Sequence, residues 1–499
     1  MANEIVKDEF SSGNVEFLEG VQISSQNKIY TDKEISKILF AKSRACVLHT
    51  EILDEQVHVS GKVFSNITYL SVDGETESGD AEIEFNEIIK NSKIKQGDQI
   101  CVSANVIDCL VDSVSVSEVN TTSIVELTPK LVATEKIAYV TGGGDGLYVL
   151  DEQFNNKFLI KSGKEELSFE IEVQTRENIS KVLDSSCQLC VKNIKARGGI
   201  AQVDLNACYN LLLKEDQLKI LSDEYQTTEE VVIDGSSEQS FICGKLNVLS
   251  CETEIVEGKI ILKVNAMLCF DVYEEKTLNF VSDAFSVTNE INLNVISALQ
   301  NRFAYNFSEN AEVVGNISVK DEGFEIRRVI GALPKTLVLS KVSPGQNEVL
   351  VEGVASFTAI YEDVDDVIDS VDIEIPFVSN VKNANIEADQ MFSTSGCIFD
   401  VKAKVRKANE IEISAGVGFC FNVFEKNEFA YVNNIEIGEE KLIDESALTI
   451  YVVKDNETLF DIAKKLSVSM ADLKDQNPAL EDELKEGFRL VVYKQKNVN

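Results

Sequence analysis

The chain has 499 residues, and 47 Lys+Arg against 84 Asp+Glu leave a formal charge of −37, with no tryptophan and two histidines. So acidic a surface repels phosphate backbones and anionic headgroups instead of releasing their counterions, which excludes nucleic acid and a bare membrane surface as partners. With 44% hydrophobic and 26% charged residues the composition is that of folded protein, and the length suits three or four domains.

The first residues, Met1 to Phe10, carry neither a basic n-region nor an apolar h-region. No uncharged apolar stretch reaches the ~18 residues of a membrane span. The expectation is a cytosolic chain without membrane insertion. Eleven cysteines, scattered from Cys46 to Cys420, lack the spacing of a disulfide framework and read as mostly reduced strand residues.

After an N-terminal segment, 1–30, the chain repeats itself. Residues 56–89 lie on 348–381 without a gap, sharing Val57-x-Val59-x-Gly61 with Val349-x-Val351-x-Gly353, Tyr69 with Tyr361, and Ile83-x-Phe85 with Ile375-x-Phe377. The segment from Ile35 matches that from Ile179, and Ile326 opens a third copy. A spacing this long excludes a solenoid and predicts tandem domains, assigned to 31–165 (with a linker), 166–320 and 321–440. Within each the hydrophobic period is two, as in Glu348–Tyr361 and Glu410–Phe424, which predicts antiparallel strands folded as a β-sandwich or a partly closed barrel. The second copy departs from the others, with Ala201-Gln202-Val203-Asp204 where they have the glycine motif.

Several motifs are weighed and set aside. Gly142 to Gly146 lacks the Gly-Lys-Ser/Thr of a phosphate loop and is followed by strand-like residues, so a hairpin or interdomain turn is expected. Cys187-x-x-Cys190 has no second pair or histidine nearby and reads as packing. His49 and His58 read as ordinary strand or turn residues, and Glu362 to Asp366, without calcium-loop order, as a solvated hairpin tip. The residues offer no catalytic constellation, metal site or cofactor motif.

Residues 441–449 are read as a linker and 450–496 as a small α+β module of βααβ order. From Tyr451 a short strand leads to a helix carrying Leu459, Ile462 and Ala463 on one side, capped by Thr458 or the acidic residues before it. A second helix starts at the N-cap Ser469 and stops at Pro478, and a loop through Gly487 returns as a strand. Residues 450–499 hold eight basic and nine acidic residues, so nearly all the negative charge belongs to the β repeats.

These units, with their V-x-V-x-G, tyrosine and I-x-F, resemble the SPOCS domains of clostridial and bacillary spore-coat proteins. The string Y-x-V-K-x-x-x-T-L-x-x-I-A-K-K, followed by D-L-x-x-x-N-P and G-x-x-L, resembles a LysM domain. The resemblance implies a groove formed by Asp455, Asn456, Thr458, Leu459 and Phe460 on one side and Asn477, Pro478, Ala479 and Leu480 on the other. Asn456 stands where a glycine is common in that family, and Phe460 where tryptophan is common. The combination is similar to that of spore-coat morphogenesis scaffolds. It implies a non-enzymatic scaffold of the mother-cell cytosol, at the forespore surface and in the coat. Its LysM domain would dock on the coat-basement morphogenetic ATPase, with Phe460, Asp461, Lys464, Lys465 and Leu480 as contacts, and its β domains would recruit other coat proteins. The alternative is a binder of peptidoglycan and its N-acetylated glycans.

Overall fold

Twelve-residue and longer runs of alternating burial dominate the computed structural model, which describes residues 5–174, 179–215, 217–319, 325–441, 448–478, 480 and 484–493. Strand β4 shows why: in Gln56–Ser71 every second side chain from Val57 to Ile67 is buried, the two-residue period read from the sequence.

The strands fall into three groups of one plan. The first comprises β1 (Val6–Phe17), β2 (Val21–Tyr30), β3 (Ile35–Leu53), β4, β5 (Thr76–Lys90), β6 (Gln99–Val114) and β7 (Glu118–Gly142). The second runs through β8 (Leu147–Val173), β9 (Lys181–Ala196), β10 (Ile200–Lys214), β11 (Leu218–Val232), β12 (Phe241–Val256) and β13 (Lys259–Ser286). The third has β14 (Asn289–Ser318), β15 (Ile326–Pro344), β16 (Glu348–Asp363), β17 (Ile368–Lys382), β18 (Met391–Lys407) and β19 (Glu410–Glu440). In each, a three-stranded meander (β3-β4-β5, β9-β10-β11, β15-β16-β17) packs on a second sheet. That sheet pairs the closing hairpin with the opening strand: β6-β7 with β1 and β2, β12-β13 with β8, β18-β19 with β14. Single register positions, Gly13 with Leu159 and Phe241 with Lys195, link β1 to β8 and β12 to β9 into one ten-stranded sheet. The sandwich expectation stands. Among the described residues no sheet closes into a barrel.

The glycine motif has a direct packing cause. Gly61 lies opposite Phe85, and Gly353 opposite Phe377. A Cβ on Gly353 would come within 2.5 Å of the Val338 carbonyl oxygen and 2.7 Å of the Phe377 ring. The glycine leaves room for the aromatic ring that covers it, so V-x-V-x-G and I-x-F are two halves of one cross-strand contact. The second group reverses the volumes: at the register-equivalent pair, Leu205 faces Thr227. We therefore expect Gly353→Ala to destabilise the third sandwich by about 1–3 kcal/mol through overpacking, read as a lower denaturant midpoint, whereas Leu205→Ala should act as an ordinary cavity mutation.

The opening and closing strands outrun their sandwiches. β19 has 31 residues, roughly 100 Å at strand rise. The distal halves form three ribbons: β1 with 130–142 of β7, 147–159 of β8 with 273–286 of β13, and 289–303 of β14 with 424–440 of β19. They pack together into a stem that all three groups share. Ile137 and Tyr139 from the first, Phe158, Leu278 and Phe280 from the second, and Phe429 and Tyr431 from the third make one buried cluster. Phe154 stacks on Phe429 at 4.5 Å, and Phe10 meets Phe158 edge-on at 4.6 Å. Asn433 Nδ2 donates to the Ala138 carbonyl and Asn301 Nδ2 to the Val15 carbonyl, each bond crossing between groups.

The motifs set aside earlier have structural places. Gly143 to Gly146 make the turn from β7 to β8, between two groups. The Glu362–Asp366 segment is the β16–β17 tip, where Asp363 Oδ1 accepts from the Asp365 and Val367 amides. Cys187 and Cys190 are buried in β9. Cys101 and Cys269 are joined by a disulfide, which the sequence did not announce, and the other nine cysteines are free thiols. Among the described residues no helix is long and apolar enough to cross a membrane.

Candidate functional site

The C-terminal module builds its surface on two very short strands. β20 (Thr449–Val452) pairs antiparallel with β21 (Arg489–Val492), and between them lie α1 (Leu459–Leu466) and α2 (Met470–Asp475). Most of the expected linker, 442–447, lies outside the described residues, as does Ala479.

Thr458 is the N-cap of α1. Its Oγ1 accepts from the Asp461 amide at 3.2 Å, and the Asp461 carboxylate accepts from the Thr458 amide at 2.9 Å, a complete capping box. These bonds, the backbone one foremost, hold the Asp461 pKa below the usual carboxylate value. Ser469 caps α2 through the Asp472 amide at 2.9 Å. Asn456, in the turn before α1, has φ 60°, the left-handed conformation that asparagine tolerates better than most residues and that glycine adopts freely.

Asn477 is buried. Its Nδ2 donates to the Leu473 and Val491 carbonyls and its Oδ1 accepts from the Val491 amide, tying the end of α2 to β21. Phe460 is 4% exposed and points away from solvent into Phe285 of β13, ring centroids 5.2 Å apart and edge-on. Phe285 in turn stacks on Tyr148 at 5.1 Å. Lys464 Nζ donates to both oxygens of Asp283 at 2.6 Å. Lys441 Nζ bridges the Ser286 carbonyl and Ser467 Oγ. The module is thus seated through α1 on the end of the β8–β13 ribbon.

Of the expected site residues, Asp455, Asn456, Thr458, Asp461, Lys464, Lys465 and Pro478 are exposed. Leu459 and Leu480 are half-buried against the module core. Phe460 and Asn477 serve packing, and Lys464 faces the β array. Lys465 belongs to a network that sequence reasoning missed. Glu457 Oε1 accepts from Lys465 Nζ at 2.7 Å and Tyr451 Oη at 2.6 Å, while Oε2 accepts from the Lys454 amide at 2.9 Å. The Lys465 ammonium first, then the tyrosine and the amide, draw the Glu457 pKa down to about 2. The eight-residue separation of Glu457 from Lys465 falls outside any helical i,i+4 rule, so no local pattern signalled it. Because the folded pKa is depressed, this network contributes fully above the ordinary glutamate value, and its contribution is lost as pH falls from about 4.5 toward 2. We expect the amide resonances of Lys454 and Glu457 to shift over that acid range, and the shift to vanish in Glu457→Gln.

Residues 34–114, which span β3 to β6, match the SipL SPOCS-domain family, and residues 451–492 match the LysM-domain family. No curated protein and no solved structure matches the chain. SPOCS plus LysM is the combination of a SipL-like protein, and it associates the chain with sporulation and the spore coat. Both are non-catalytic domain families.

Proposed function

We propose that this protein is a non-enzymatic scaffold of spore-coat assembly, held at the forespore surface by its LysM module docking on the coat-basement morphogenetic ATPase. The β array recruits further coat proteins. The observation that carries the reading is the seating of the module: Phe460 and Lys464 are used against the array, and the turn Asp455-Asn456 with Pro478 is left exposed on the outer side. The array supports multivalent recruitment, since it repeats one acidic sandwich three times on a shared stem, and weak contacts to several copies combine. Localisation in the mother-cell cytosol follows from this partner.

The second reading, peptidoglycan binding, is favoured by the exposed turn at Asn456, which keeps the left-handed backbone that glycine adopts freely, although the asparagine side chain narrows the approach. One experiment separates them: the purified full chain titrated with the purified ATPase and, separately, with muropeptides. The scaffold reading expects saturable ATPase binding that Asp455→Lys weakens roughly tenfold, equivalent to about 1.4 kcal/mol. Saturable muropeptide binding with no ATPase binding overturns it.

A further inference from the structure

Four thiols meet where the second and third β groups face each other. Cys190 of β9, Cys208 of β10, Cys397 of β18 and Cys420 of β19 form one buried cluster. Cys190 and Cys397 are 1% and 2% exposed, and their sulfurs lie 2.9 Å apart. Two thiolates sharing a tetrahedral zinc, each bonded at about 2.3 Å, sit roughly 3.8 Å apart. The observed pair is therefore too close for a common metal, and it is wider than the ~2.0 Å of a formed disulfide. It is a contact between two reduced thiols, one from each group.

Their surroundings fix and activate this contact. Gln188, two residues from Cys190, accepts with Oε1 from the Ile398 amide at 2.6 Å, locking β9 against β18 beside the sulfurs. Hydrogen bonds from Cys190 and then Cys208 hold the Cys397 thiol below its ordinary pKa, and the thiolate is the nucleophilic form. A cavity of about 1180 Å³ lies among the three sandwiches, and Gln188, Leu189, Ser395 and Gly396, the chain neighbours of both cysteines, line it. The cavity wall thus comes within one residue of each buried cysteine.

We propose that Cys190 and Cys397 are an oxidative crosslinking site, converted to a disulfide between the second and third groups by hydrogen peroxide entering through the central cavity. The Cys397 thiolate attacks one peroxide oxygen; the O–O bond breaks, a sulfenic acid forms on Cys397, and hydroxide leaves. The Cys190 sulfur then attacks the Cys397 sulfur, the S–O bond breaks, and the Cys190 proton departs with that oxygen as water. The first hydroxide takes up the proton that Cys397 released on ionising. Two thiols and one peroxide thus give one disulfide and two waters, both sulfurs being oxidised and both peroxide oxygens reduced. Cys101 of β6 and Cys269 of β13 already join the first and second groups, so the new bond places all three in one covalently linked series.

The test uses the full chain. Protein treated with increasing hydrogen peroxide is denatured with an alkylating agent present, digested and mapped by mass spectrometry without reduction. The expected result is a peptide pair linked through Cys190 and Cys397 that grows with dose and disappears on treatment with dithiothreitol. Cys420→Ser should retain the link, and Cys397→Ser should leave Cys190 fully alkylated. If Cys190 and Cys397 both remain alkylated in the native-sequence protein while peroxide oxidises other residues, or if Cys190 links to Cys420 instead, the proposal is overturned. The native-sequence map decides the matter even where a variant fails to fold.

Discussion

Replacing Phe285 by alanine is expected to loosen the C-terminal module while leaving the sandwiches folded, although Phe285 lies more than 160 residues before that module in the chain. Phe285 is 1% exposed and belongs to the same buried cluster as Phe460, Ile462, Ala463, Leu473 and Leu490. Among its described residues the module has two four-residue strands and two short helices. A domain of this size cannot bury enough apolar surface to be secure alone. With Phe460 where a larger tryptophan is common in the LysM family, Phe285 and Tyr148 complete the aromatic floor from outside. Truncating a buried phenylalanine costs about 3–5 kcal/mol, comparable to the whole stability of so small a core. Hydrogen exchange is the direct measurement. Amides of α1 and α2 should lose protection in Phe285→Ala, whereas those of β10, β13 and β16 should keep it. Unchanged protection in α1 would mean that the module's core is self-sufficient.

A comparable loss is expected from Lys130→Met. Lys130 Nζ lies 2.6 Å from Asp271 Oδ2, and the aspartate is wholly buried. Ser162 Oγ donates to the other carboxylate oxygen at 2.7 Å. Burial, the largest single influence, pushes the Lys130 pKa down, but the charge of Asp271, that of Cys243 and the hydrogen bond to Asp271 together outweigh it, and the net shift is upward. That contribution is fully present below the ordinary lysine value and fades only as pH rises through the higher folded value. Removing the cation strands a carboxylate inside the protein, which costs about 3–5 kcal/mol. Chemical denaturation should report this as a lowered midpoint. The double variant Lys130→Met with Asp271→Asn should recover most of the loss, because an uncharged pair needs no counter-ion. A single-variant loss below about 1 kcal/mol would show that water in the cavity compensates Asp271.

The Lys130–Asp271 pair also shows where the sequence stopped being informative. Lys130 lies opposite Cys101, Asp271 opposite Cys243 and Asn422 opposite Ser393, so the three are the same position of the repeated plan. In an alignment of repeats they look like a position free to vary. In space Lys130 pairs with Asp271, and Asn422 Nδ2 donates to the Gly244 carbonyl, next in the chain to Cys243. The repeat's phase was equally hidden. Its recognisable motifs sit in the meander, whereas each opening strand runs upstream of them with no glycine or I-x-F to mark it.

Local chemistry was sufficient for the rest. Alternation of apolar and polar residues determined the strands, because one face of each is buried and a shift by one residue would expose it. The V-x-V-x-G and I-x-F motifs were legible as a repeat, but that Gly61 pairs with Phe85 and Gly353 with Phe377 was seen only in the structure. Thr458 and Ser469 determined where α1 and α2 begin, since a cap acts within three residues of its own position. What only the tertiary structure decided is which surfaces remain free. Phe460 and Lys464 looked available and are spent against Phe285 and Asp283, and the −37 charge, legible at once as a total, is arranged on three sandwiches around a common stem. Such contacts join residues more than a hundred positions apart, and no local periodicity records them.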